Sequence, residues 1–381
     1  MRNGLPVWDS DTHYNPTIET MLAYFDPEFR EKLPLLEQYK VKGREGREDP
    51  NRHHYAVGKV AYKRILGEAG PAATPVVNAG KRMGSKAPSS GVEDDLVDAR
   101  IADMDEEGVD VHMMVPGVLM NVSILGDPAF EVGIMRAYHR AANDFCSKYP
   151  HRLKALMIVT GNDVEASVAE IKRWGSSSWA VGVWPFPGME RPLDHPDMEP
   201  IWAAANEQGL AIMSHSVAWD PPYYPGYRDV WDNLFIGRLS SHPWGGMRAV
   251  ASFLGAGILD RYSDLKFGVL ESGCGWLPFW MRRMEDHVHY VGTTAPLKHT
   301  MEEYMTGGRF FASMEMHEGE DMVKMVTSFL GDGVLMYASD YPHPECKFPE
   351  SADHVLAWKS FGESAMRKLM WENAVRCFGE P

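Results

Sequence analysis

Residues 8–16 read WDSDTHYNP, and the reading of the whole chain turns on this stretch. Asp9, Asp11 and His13 alternate behind the apolar Val7 and Trp8. In an extended strand, alternate side chains project to one face, so the three share a side. Carboxylate and imidazole are both ligands for divalent metals. Ligand-type residues recur at three later places where an apolar run gives way to a polar loop: His215 in AIMSHS, Glu271 in GVLESG and Asp340 in LMYASDYPH. One carboxylate at a strand end is ordinary turn chemistry. Four such strand ends invite one explanation, a metal site at one end of a barrel.

Working outward, residues 5–9 read as a first strand and 17–38 as an amphipathic helix. Residues 40–95 are basic, rich in Gly, Pro and Ser, and without apolar periodicity. They read as a long insertion after strand 1, either covering a site or running over the surface. His53 and His54 within it read as surface histidines. From Glu93 onward the chain alternates. Helical spacing in EDDLVDARIADMDEE is followed by the strand VDVHMMVP and a helix over 128–148. Then come LKALMIVT, helix 163–174, AVGVWPF, helix 197–208, LAIMSHS, a helix over about 244–258, LKFGVLES, helix 276–290, GRFFASME, helix 320–330 and GVLMYASD. Helices close the chain over 351–378. Short apolar strands alternating with helices imply parallel pairing and right-handed crossovers. Eight such units predict an α/β fold, a (β/α)8 TIM-type barrel spanning residues 1–381 as a single domain, with its site at the C-terminal strand ends. A doubly wound open sheet is the competing architecture, and it leaves the first and last strands apart. The barrel sets them side by side, which lets Asp11, His13 and Asp340 meet.

The net charge of −15 over 381 residues argues against nucleic-acid or anionic-membrane partners. It does not argue against an anionic substrate, because a metal reverses the local potential. The four cysteines are scattered without a CxxC pair, which reads as reduced thiols in a cytoplasmic protein. MRNGLPVWDSD lacks the apolar core of a signal peptide, and no apolar run approaches the ~20 residues that span a bilayer. The 12 Trp and 24 Met suit a pocket for a flat or greasy ligand, although core filling explains most of them. Trp184, Trp219, Trp244 and Trp276 fall near predicted strand ends, where the wall for a cyclic or aromatic small molecule belongs.

Residue by residue, alternatives stand beside each functional reading. Asp11 and His13 can clamp an ion, or serve as a cap and a turn residue before Asn15-Pro16. His215 and Asp340 can be ligands or strand-end hydrogen-bonders. Asp9, deeper in the strand, orients a ligand or bridges a second ion. His242 binds a substrate oxyanion or contacts a helix start. Arg100 and Arg248 serve either the site or neighbouring acids. His343 supports the loop of Asp340.

DSDTHYNP, IADMDEEGVDVHMMVP, the long segment from HPWGGMRAVASF through LKFGVLESGCGWLPFWMRRME, ASDYPHPE and WENAVRCFG together resemble the amidohydrolase superfamily. The resemblance is to its amidohydrolase-related branch, with aminocarboxymuconate-semialdehyde decarboxylase and the dihydroxybenzoate decarboxylases, and it covers most of the barrel. It implies four metal ligands, Asp11, His13, His215 and Asp340, and a homodimer. Two positions depart from the family pattern. Asp11 stands where His or Glu is usual, and the harder oxygen ligand leaves zinc, the first expectation, open to manganese or iron. Glu271 stands where the decarboxylases carry His, and an ionised carboxylate there favours hydrolysis. The expected activity is therefore a metal-dependent hydrolase acting on a small carbonyl compound, with Asp340 as general base and Glu271 and His242 as further catalytic groups. A non-oxidative decarboxylase of an aromatic or unsaturated acid is the alternative, and a non-catalytic binding barrel the third reading.

Overall fold

The structure, a computed structural model, describes residues 1–42, 53–55, 57, 65–67, 81–88, 96–117, 127–186, 192–216, 233–295 and 297–381. Eight strands form one parallel sheet in sequential order: β1 (Trp8–Tyr14), β2 (Val111–Pro116), β3 (Leu153–Thr160), β4 (Ala180–Phe186), β5 (Ala211–His215), β6 (Phe267–Leu270), β7 (Phe310–Glu315) and β8 (Leu335–Ala338). The strands are buried almost throughout, which is why they read as continuous apolar runs and not as alternating ones. The connecting helices are α1 (Val97–Glu107), α2 (Pro128–Cys146), α3 (Val164–Trp174), α4 (Glu199–Glu207), α5 (Leu234–Gly255), α6 (Leu277–Val291) and α7 (Glu320–Leu330). Sequential parallel order with helical crossovers is the (β/α)8 barrel that the alternation predicts.

Closure runs through the ligand segments. The Asp340 N–H donates to the Asp11 carbonyl at 3.0 Å, and the His13 N–H to the Tyr341 carbonyl at 2.7 Å. Arg100 of α1, wholly buried, clips the joint from outside: it donates to the His13 carbonyl, reaches Thr12 Oγ1 at 3.5 Å and lies 5.0 Å over the Tyr341 ring. The Tyr341 hydroxyl in turn donates to Asp103 at 2.7 Å.

Three local expectations change. The first strand runs Trp8–Tyr14 and not 5–9, so Asp11 and His13 lie within it. Residues 17–38 are not one helix but short turns at Ile18–Met21 and Pro27–Arg30 followed by a 3-10 stretch at Leu33–Tyr39. Pro27 and Pro34 each lack the N–H that continuation requires. Helix α5 starts about ten residues before the expected 244, with Pro243 inside it. Much of the insertion, and the expected Trp219, lie outside the described residues. Of the insertion, Lys40–Lys42 and His53–Tyr55 form an antiparallel pair, and His53 bonds Glu19 at 2.7 Å. Among the described residues, no helix is long and apolar enough to cross a membrane.

Candidate metal centre

The expected residues gather at the C-terminal end of the barrel. His13 Nε2 lies 2.9 Å from Asp340 Oδ1 and 3.9 Å from Asp11 Oδ1. His215 Nε2, from the end of β5, lies 3.5 Å from Asp11 Oδ1. Glu271 Oε2 sits 3.1 Å from His215 Nε2 and 3.9 Å from His13 Nε2. Donors bound at about 2.0–2.2 Å to one ion stand roughly 3–4 Å apart, so these spacings suit a shared divalent cation. Two overlapping donor sets result: Asp11, His13 and His215, and His13, Glu271, Asp340 and His343. The structure therefore brings Glu271 and His343 to the place where sequence reading set only four ligands. Asp11 Oδ1 is buried without a hydrogen-bond partner, and His215 Nε2, though 3.1 Å from Glu271 Oε2, makes no well-directed hydrogen bond to it. Such orphaned atoms are costly unless something satisfies them, and a cation does so. Imidazole with carboxylate suits zinc, manganese or iron alike.

Backbone geometry aims two of these side chains. Glu271 has φ 45° and Asp340 φ 61°, both in the left-handed region. That conformation costs a non-glycine residue roughly 1–2 kcal/mol, and such strain concentrates at functional sites. Hydrogen bonds hold it in place. The Glu271 N–H donates to Ser313 Oγ at 3.1 Å. Glu315 accepts from the Gly273 N–H at 2.9 Å. Glu318 accepts from the N–H groups of Cys274 and Gly275 at 2.8 Å each. The amides of this loop are thus filled by carboxylates of the chain itself and are not an oxyanion hole. Asp9 accepts from the N–H groups of Asp11 at 3.3 Å and Ser339 at 3.0 Å. It fixes the segments that carry two donors and belongs to neither set.

The buried charges divide into complementary roles. Burial opposes charge on His215, yet Asp11 and Glu271 raise it well above the usual histidine range. Burial likewise opposes charge on Glu271, but His242 and His215 hold it well below the usual carboxylate range. Asp340 moves the other way, pushed well up by burial and by the Glu271 charge. Burial and the neighbouring His343 lower His13 to about 4. Burial and neighbouring charge thus push Asp11 and Asp340 towards the neutral form, while the histidines favour charge on Glu271.

A cleft of about 950 Å³ opens above these groups. Asp11, Glu271, Asp340 and His242 form part of its floor, and Trp276 and Met316 part of its wall. His242 Nδ1 is 3.4 Å from Glu271 Oε1, and its Nε2 is buried without a hydrogen-bond partner. Trp184 packs against His215 with ring centroids 4.9 Å apart. Trp244 and Arg248 lie half-buried on α5.

Sequence reading missed the reach of two residues. His343 Nδ1 turns back to 2.8 Å from Asp340 Oδ1 and stacks on His13, because its N–H closes a tight turn onto the Asp340 carbonyl. The i, i+3 spacing was the available signal. Arg238, 3.6 Å from Glu271 Oε1 and paired with Glu345, lies on the early turns of α5 that HPWGG hid.

A family model described as Amidohydrolase matches residues 9–379. Among solved structures, 5-carboxyvanillate decarboxylase from Novosphingobium aromaticivorans, complexed with manganese and 4-hydroxy-3-methoxy-5-nitrobenzoic acid, is similar at 19% identity and a TM-score of 0.69, covering 99% of this chain and 97% of that one. An amidohydrolase from Mycobacterium avium subsp. paratuberculosis is similar at 18% identity and a TM-score of 0.71, covering 99% and 98%. 2,6-Dihydroxybenzoate decarboxylase from Rhizobium is similar at 19% identity and a TM-score of 0.61, covering 74% and 88%. No curated protein matches the chain. At these identities the structural likenesses show the fold.

Proposed function

The chain belongs to the amidohydrolase family, and from that premise we propose that it is a metal-dependent decarboxylase of an aromatic or unsaturated carboxylic acid. This reverses the order expected from sequence, where hydrolysis came first. The observation that carries it is the placement of Asp340, 2.9 Å from His13 and lining a cleft with apolar walls, where its carboxyl can meet a substrate carbon. Two of the similar solved proteins are decarboxylases, one of them bound to manganese and an aromatic acid.

Asp11, His13, His215 and Asp340, with Glu271 beside them, would hold a divalent ion, which would supply positive charge against the substrate's carboxylate. The chain's own groups do the rest. Asp340 gives its proton to the carbon bearing the carboxylate. The bond from that carbon to the carboxylate then breaks, carbon dioxide leaves, and the electron pair returns to the ring or conjugated system. Asp340 regains a proton from solvent, so each turnover consumes one. Glu271, kept ionised, accepts a hydrogen bond from a substrate hydroxyl, and His242 holds Glu271 in that state. Trp276 and Met316 shield the leaving carboxylate from water, which favours its departure.

Hydrolysis is the second reading. One observation favours it: an ionised Glu271 within reach of both histidines is a ready acceptor for a proton from water. The experiment offers a panel of hydroxybenzoic acids, and separately their esters and amides, to the manganese-loaded protein in oxygen-18 water, with carbon dioxide and label in the product both measured. Carbon dioxide without label in the organic product is expected. Label from ester or amide substrates, with no carbon dioxide from any acid, returns hydrolysis to first place.

A further inference from the structure

The cleft joins the buried ionic centre to a group of exposed apolar side chains, with Lys347 and His317 also on its lining, and this pairing reads as a description of the substrate. Phe235, Arg238, Leu239 and His242 lie at i, i+3, i+4 and i+7 on α5, and all four line the cleft. That spacing is one face of a helix. Phe235 is 67% exposed and Leu239 63% exposed. Ile65, Leu66 and Met83 of the insertion, 43%, 45% and 58% exposed, line the same cleft. Five of the fourteen large hydrophobic residues exposed among the described residues thus gather at one opening. Single exposed apolar residues are normal, but a concentration of them at the rim of a site marks a surface that a ligand covers.

The distances bear on what covers it. His242 touches the ionic floor, 3.4 Å from Glu271, and Phe235 stands seven residues earlier on the same face. At 1.5 Å per residue the apolar strip runs roughly 10 Å out from the floor, further than one ring bearing a carboxylate extends. The cleft volume of about 950 Å³ lies near the top of the ~300–1,000 Å³ usual for sites that enclose a drug-sized ligand. Arg238 marks the boundary between the two zones, one turn from His242, with its charge already committed to Glu345 and Glu271. Leu239 beside it and Phe235 beyond it offer carbon, and Asn233 at the helix start lines the cleft with a side chain already accepting from the Ile236 N–H.

We propose that the substrate is an amphipathic acid, its carboxylate head at the metal centre and an extended aryl or alkyl body lying along Leu239 and Phe235 towards the mouth. This rests on the reading of the centre as a metal site for a carboxylic acid. It goes beyond that reading by requiring a hydrophobic body larger than a single ring.

The test is calorimetric binding of 2-hydroxybenzoic acid and its 5-pentyl derivative to the full chain, with and without manganese. The expected result is manganese-dependent binding of both acids, the pentyl compound at least tenfold tighter, since each buried methylene adds a factor of roughly three to four. In the Phe235→Ser/Leu239→Ser variant the ratio between the two affinities falls towards one. Manganese-dependent binding of both acids with equal affinity overturns the extended body and leaves the metal-centred reading standing. Absence of manganese-dependent binding for either acid overturns both. A variant that keeps the pentyl gain but changes the sedimentation coefficient also overturns the inference, and makes the apolar rim a contact between subunits. Metal content by elemental analysis and circular dichroism of the variant show that it is folded and loaded.

Discussion

His215 Nε2 and Glu271 Oε2 stand 3.1 Å apart, both nearly wholly buried, at the ends of neighbouring strands β5 and β6. The contact joins the middle of the donor cluster to the residue that departs from the usual family pattern. Asp11 and Glu271 favour charge on His215, and the histidines favour charge on Glu271, so the contact has the character of an ion pair. With an ion bound, the same two atoms are spaced as co-ligands.

Removing His215 therefore does two things. His215→Ala is expected to lose stoichiometric metal and all turnover, measured by elemental analysis and assay. It also leaves Asp11 and Glu271 buried without their cationic partner, which costs roughly 3–5 kcal/mol. Urea unfolding of the metal-free variant at neutral pH measures that loss. A variant as stable as the parent rules out the ion pair.

Glu271→Gln keeps the shape and removes the charge. The expected result is manganese affinity at least tenfold weaker and turnover at least a hundredfold slower. Full metal affinity with lost turnover confines Glu271 to proton chemistry and removes it from the donor set.

Glu318 acts at one remove, through the amides of Cys274 and Gly275 in the loop that follows Glu271. Glu318→Ala frees those amides and lets Glu271 leave its left-handed conformation. A fall in kcat of about ten- to a hundredfold with KM nearly constant is expected. The visible spectrum of the cobalt-loaded protein should shift as well. Glu318→Gln, which still accepts hydrogen bonds, should recover part of both. An unaltered cobalt spectrum in Glu318→Ala disconnects this residue from the centre.

Away from the centre, Glu107 offers a pH test. Burial raises its carboxyl to about 7 from an ordinary value of 4.5, although the Ser351 N–H bond opposes the shift. The folded protein binds this proton more tightly than the unfolded chain does, so the stability it contributes is present below pH 4.5 and is lost as pH rises towards 7. Glu107→Gln stays neutral and should flatten that decline, gaining about 3 kcal/mol relative to the parent at pH 8. Parallel stability–pH curves for the two proteins contradict a raised Glu107.

Much of the architecture was legible because each buried parallel strand is an unbroken apolar run ending in a loop. Asp11, His13, His215 and Asp340 stood out as polar residues at those ends. What stayed hidden depended on backbone angles and helix starts. Glu271 was visible as a strand-end acid, but its approach to both histidines follows from a positive φ that its residue type does not suggest. The early turns of α5 were invisible because Pro243 and the Gly245-Gly246 pair read as a turn, which concealed Phe235, Arg238 and Leu239. Pro27 and Pro34 were legible as breaks, and the apolar spacing around them outweighed them wrongly.

The joint between β1 and β8 also sets the order of events during biosynthesis. Asp340 meets His13 across 327 positions of chain, so the ribosome has made nearly everything before that pairing is possible. A nascent polypeptide lacking its last strand holds Asp11 and His13 on an unpaired edge. Cellular metal can thus be captured in full only after translation has passed Tyr341, and a prematurely terminated product emerges without a complete centre and with an edge exposed to aggregation.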